Sequence, residues 1–90
     1  MASKILGLTA EEIQVELKRI GQHCHWTLLE EKNNSLIFRT EFGNLTLTWS
    51  SLPPEQLGSF FLPRTQLFME GEPTALVRLD EALRCLRAGG

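Results

Sequence analysis

Apolar and polar residues alternate from Ser35 to Trp49, across a Gly43-Asn44 pair. A period of two marks a half-buried strand, and two such runs flanking a two-residue turn predict a β-hairpin. Gly at the first turn position would supply the positive φ of a type II′ turn. That turn would set Phe42 opposite Leu45, Thr40 opposite Leu47 and Phe38 opposite Trp49. Leu36, Phe38, Phe42, Leu45, Leu47 and Trp49 then share one face. Arg39, Glu41, Thr46 and Thr48 take the other, where Ile37 is the large apolar exception. A sheet with one apolar face needs a second layer against it.

Near both ends of the chain the period lengthens to that of a helix. Thr9-Ala10-Glu11-Glu12 reads as a capping box, with Leu8 and Ile13 placed as a hydrophobic staple. Ile13, Leu17 and Ile20 form the apolar stripe, Ala10 extends it, Val15 points away, and Gly21 is the expected stop. Leu76, Leu79, Leu83 and Leu86 recur at spacings of three and four, widened by Ala75 and Ala82. They predict a helix over 74–88, capped by Thr74 and ended by Gly89, with Asp80 and Arg84 as an i,i+4 pair. A strand over 75–78 with a helix from Asp80 is the alternative; the leucine spacing favours the longer helix.

His25 to Glu31 reads as a strand and Lys32-Asn33-Asn34-Ser35 as a turn. A two- or four-residue loop would put Thr27 and Leu29 on the Phe38 face, whereas a three-residue loop would put Trp26 and Leu28 there. Burying Trp and Leu is worth more, which favours the odd loop. Pro53-Pro54 argues against a continuing central strand and suits a short helix through Leu57, ending near Gly58. Phe60, Phe61 and Leu62 would then tuck onto the core, and Thr65 to Glu70 would form the fourth strand. The expected fold is α+β, one domain over 1–90. It is a two-layer sandwich: an antiparallel sheet of about four strands, a three-strand meander plus one, with the N- and C-terminal helices packed on one face. This order of elements is similar to that of the small acidic secretion chaperones, dimeric proteins whose sheet and flank bind effector segments. The likeness is one of topology, and fold does not imply function.

Composition narrows the picture a little. Apolar residues make up 42% and charged residues 22%, ordinary for a globular domain. A net charge of −2 argues against nucleic acid or an anionic membrane as the main partner. Cys24 and Cys85 are too few to read as a disulfide framework and suit free thiols in the cytoplasm. The N-terminal apolar run is short for a signal peptide, and no segment approaches the length of a membrane span.

The chemistry-bearing residues form no complete set. His23-Cys24-His25 offers good zinc ligands at poor spacing, since neighbours in an extended segment point apart. As a Cys–His nucleophile pair it lacks a group to orient the base. Glu11-Glu12 is explained by capping, and Glu30-Glu31 by a solvated strand end. No phosphate loop, nucleophile elbow or dinucleotide fingerprint is present. The expectation is therefore a non-enzymatic protein-interaction module without cofactor or metal: an adaptor, regulator or chaperone-like binder acting as a cytoplasmic homodimer. Its candidate contact residues are the off-stripe Val15, Ile37 and Val77, Trp26, and the helix-borne Arg78, Arg84 and Arg87. A nucleic-acid-associated regulator using those arginines is the alternative.

Overall fold

The computed structural model describes residues 2–89, with side chains described through residue 85. The order is β1 (Ala2–Leu6), α1 (Ala10–His23), β2 (Thr27–Lys32), β3 (Ser35–Thr40), β4 (Gly43–Leu57), β5 (Phe60–Gly71) and α2 (Pro73–Gly89). All strands belong to one antiparallel sheet with the spatial order β1-β5-β4-β3-β2. The α+β class and the antiparallel sheet are as expected, but there are five strands rather than four. β1 is the addition, with Lys4 opposite Leu67 and Leu6 opposite Thr65. Its pairing closes across most of the chain, so no local hairpin pattern announces it.

The core joins alternate strand residues to one stripe of each helix. Leu6, Leu36, Phe38, Leu45, Leu47, Trp49, Leu67 and Met69 meet Ile13, Leu17 and Ile20 of α1 and Leu79 and Leu83 of α2. Both helices therefore cover the same side of the sheet, leaving the other side open.

The central hairpin turns earlier than Gly43-Asn44. Thr40 pairs with Gly43, Phe38 with Leu45 and Leu36 with Leu47, so the turn residues are Glu41 and Phe42. Thr40 Oγ1 closes that turn, donating to the Gly43 carbonyl at 2.8 Å and accepting from Phe42 N–H at 3.0 Å. The register moves by an even number of residues, so every strand side chain keeps its face. Phe42 alone leaves the core, at 38% exposure. The first hairpin closes through a two-residue Asn33-Asn34 turn, not the three-residue loop favoured above. A bulge at Leu29 restores the parity, setting Leu28 opposite Phe38, and the Trp26 ring packs on Phe38 with centroids 5.9 Å apart, but Leu28 at this sheet edge stays exposed rather than buried as expected.

The capping box forms: Thr9 N–H donates to Glu12 Oε1 at 3.0 Å and Glu12 N–H to Thr9 Oγ1 at 3.1 Å. Gly21 does not end α1. It is buried where the helix meets Phe38, and a Cβ there would stand 2.7 Å from Phe38 Cζ. The helix ends at the cap Cys24, followed by His25 with φ +61°. Trp26 N–H donates to Gly21 O at 2.8 Å and His25 N–H to Gln22 O at 3.2 Å, the two bonds of a Schellman motif. α2 begins at Pro73, which suits a first helical position, so Thr74 lies inside the helix and is not its cap. Asp80 pairs with Arg84 at 3.0 Å as expected.

The largest departure lies between Ser50 and Arg64. No helix forms at Pro54, and β4 runs on to Leu57, turns at Gly58-Ser59 and returns as β5. Beyond the Ser51–Thr65 pair this ribbon has neither β3 nor β1 beside it. The prolines sit at a bulge between Leu52 and Glu55, where their missing N–H costs no ladder bond to a third strand. With no helix between the meander and the last strand, the element order departs from the one that resembled the secretion chaperones.

Candidate interaction surface: the hairpin arm and the open sheet face

Residues 51–57 and 60–64 form a two-stranded arm that extends the molecule to 45 × 26 × 21 Å. Leu57 pairs with Phe60, Gln56 with Phe61 and Glu55 with Leu62. Counting back along β5 from buried Thr65, Phe60, Leu62 and Arg64 lie on the open side of the sheet and Phe61 on the helix side. Leu57, as partner of Phe60, shares the open side. The exposures are 51% for Leu57, 73% for Phe60, 64% for Phe61 and 44% for Leu62.

The same side continues into the body of the sheet. Phe68 of β5 and Ile5 of β1 remain 36% and 51% exposed. Ser50, Gln66, Thr46, Thr48 and Ile37 surround them by register, and Leu52 links body and arm opposite Arg64. The arm carries one acidic and one basic side chain, Glu55 and Arg64, so the strip is close to electrically neutral.

The arm is blocked along its edges. Pro53 and Pro54 on β4 and Pro63 on β5 each lack an N–H donor. A strand added along either edge would lose hydrogen bonds there, which leaves the faces as the usable surface.

The residues singled out from the sequence do not converge. Val15 and Val77 are exposed on the outer sides of α1 and α2, at 64% and 58%. Ile37 is half-buried on the opposite, open side of the sheet. Trp26 is half-buried against Phe38. Arg78 and Arg84 are exposed on α2, while the side chain of Arg87 lies outside the described residues. Arg84 pairs with Asp80, and Arg19 pairs with Glu16 at 2.6 Å, so these two helix arginines carry their own counter-charges. Leu57, Phe60, Phe61 and Leu62 went unrecognised because an apolar cluster beside two prolines reads as a buried loop. The Gly58-Ser59 pair between apolar residues was the available signal for a hairpin.

Between the end of α1 and α2 lies a shallow cleft of about 430 Å³, lined in part by His23, Cys24, Arg78, Glu81 and Cys85. Burial pushes the Cys24 thiol up, with the Arg78 charge opposing. That direction keeps it protonated, the reverse of an activated nucleophile. Among the described residues no three His, Cys, Asp or Glu side chains gather as a metal ion would require. Two carboxylates tie the layers together. Glu31 accepts from Lys18 Nζ at 3.0 Å and Gln14 Nε2 at 2.6 Å, and the Lys18 bond followed by the Gln14 bond lowers its pKa. Lys4 reaches from β1 to Asp80 on α2, and that bond, with Arg84 adding to it, lowers the Asp80 pKa. Among the described residues no helix is long and apolar enough to cross a membrane.

Neither a family model nor a curated protein matches this chain.

Proposed function

We propose that this chain is a small non-enzymatic protein-interaction module, an adaptor, regulator or chaperone-like binder, whose contact surface is the open side of the arm and the sheet face it continues. The observation that carries this reading is the strip of Leu57, Phe60 and Leu62, held on a ribbon that packs on neither helix. Contiguous exposed apolar surface rimmed by polar residues marks association sites. The strip presents large apolar side chains on regular backbone, the usual content of an interface centre. Two free thiols, Cys24 and Cys85, support a reducing compartment, the cytoplasm, as its setting.

A photo-reactive amino acid placed at position 60, and as a control at position 16 on α1, tests this in cells of the native host. Discrete adducts of protein mass at position 60 and none at position 16 are expected. Equal labelling at both positions, or adducts formed only with nucleic acid or lipid, would refute it.

A further inference from the structure

Resting on that reading, we propose that the partner covering the arm is a second copy of this chain. The two copies stack open side to open side about a two-fold axis, so that Leu57, Phe60 and Leu62 of each arm cover Ile5 and Phe68 of the other. A two-fold contact requires a surface that complements itself. Here the arm strip and the Ile5–Phe68 patch lie on the same side of one continuous ladder, so a single rotation covers both at once.

Area favours this occupant. At about 150–200 Å² for a large apolar side chain, the exposures of these five residues leave roughly 400–500 Å² apolar per copy. At the usual apolar share of about 60%, two copies would bury roughly 1,300–1,700 Å² in all, the size of a specific interface. Charge points the same way. Glu55 and Arg64 leave the strip without net charge, so two copies meet without repulsion. An anionic bilayer gains no electrostatic attraction from it. The prolines at 53, 54 and 63 rule against the competing geometry, edge-to-edge pairing of two arms.

Sedimentation equilibrium of the full chain from about 1 to 100 μM provides the test. The expected mass is twice the 10.2 kDa of one chain. The triple variant Leu57→Ser/Phe60→Ser/Leu62→Ser should sediment as a monomer at the same concentrations, with native-like far-UV circular dichroism and a melting temperature that no longer rises with protein concentration. Phe61→Ser supplies the control, because that side chain is as exposed but faces the other way, and it should stay dimeric. A monomeric wild-type chain at 100 μM would overturn the proposal, as would a triple variant that still dimerises or a Phe61→Ser variant that dissociates as fully as the triple one. Flotation of the monomer with phosphatidylcholine vesicles would assign the strip to a membrane instead. A monomeric wild type that still forms protein adducts at position 60 would sink the second-copy inference and leave the interaction module standing. Monomer and no adducts would remove both.

Discussion

Gly21→Ala is the substitution that most directly tests how α1 sits on the sheet. In an exposed helix interior the change stabilises by roughly 0.8–1 kcal/mol. At Gly21 the new methyl would lie 3.1 Å from Cδ1 and 2.7 Å from Cζ of Phe38, and closer still to Cε1. The ring cannot retreat: Phe38 is buried, and the Trp26 ring packs on it. Overpacking a fitted core costs about 1–3 kcal/mol, which exceeds the helix-propensity gain over most of that range. The difference is a net loss of about 0–2 kcal/mol, centred near 1, and that central value lowers the melting temperature of a domain of this size by roughly 4–8 °C. Urea and thermal unfolding followed by far-UV circular dichroism measure it. In a Phe38→Leu background the same methyl meets no ring, so Gly21→Ala should cost about 1 kcal/mol less there than in the wild type. A Gly21→Ala protein more stable than the wild type, or one whose cost is the same in the Phe38→Leu background, would refute the close contact.

Three further outcomes are expected from the same structure. His25→Gly should stabilise by about 0.5–1 kcal/mol in urea unfolding, because it relieves a left-handed backbone at the end of α1 without disturbing the Schellman bonds; a loss of stability would show that the imidazole makes a compensating contact. Asp80 titrates below the ordinary carboxylate range in the folded state, chiefly through Lys4. Its contribution is therefore present above the unfolded value of about 3.9 and is lost as pH falls through the folded value. The urea midpoints of wild type and Asp80→Asn should differ most near neutrality and converge in acid, and a gap unchanged at pH 2 would contradict this. Under native conditions a disulfide reagent should modify exposed Cys85 ahead of half-buried Cys24, whose thiol burial holds protonated; peptide mapping that found Cys24 labelled first would reverse the picture of the cleft.

The parts of this fold legible in the sequence are those decided over a few residues. The Thr9–Glu12 box, the Leu79–Leu83 stripe and the alternation from Leu36 to Trp49 need no distant partner to be recognised. Parity survived even where register did not. The hairpin turns at Glu41-Phe42 instead of Gly43-Asn44, yet an even shift leaves each strand side chain on its predicted face. In the first hairpin the demand that Trp26 pack inward outweighed the loop count, and the bulge at Leu29 met that demand. What escaped was non-local or two-valued. β1 carries five residues and pairs with a strand about sixty positions away. Gly21 reads equally as a helix stop and as a close approach, and only Phe38 decides between them.

The candidate surface was hidden by an ambiguity of another kind. An apolar cluster such as Phe60-Phe61-Leu62 can be the inside of this domain or the inside of an assembly, and composition does not separate the two. Geometry does, because fixing the backbone of a residue costs about 1–2 kcal/mol, and some burial has to offset that cost. In the body of the sheet the helices supply the offset. In the arm the ladder bonds run between two strands only, and a two-stranded ribbon is marginal in water by itself. A connection from β4 to β5 could have turned soon after Ser51, where the body of the sheet ends. The chain instead extends some seven residues outward, places apolar side chains on the side continuous with Ile5 and Phe68, and puts prolines where edges would otherwise pair. Extension, apolar face and blocked edges are the three features that the proposed second copy, laid flat against the ribbon, would account for together.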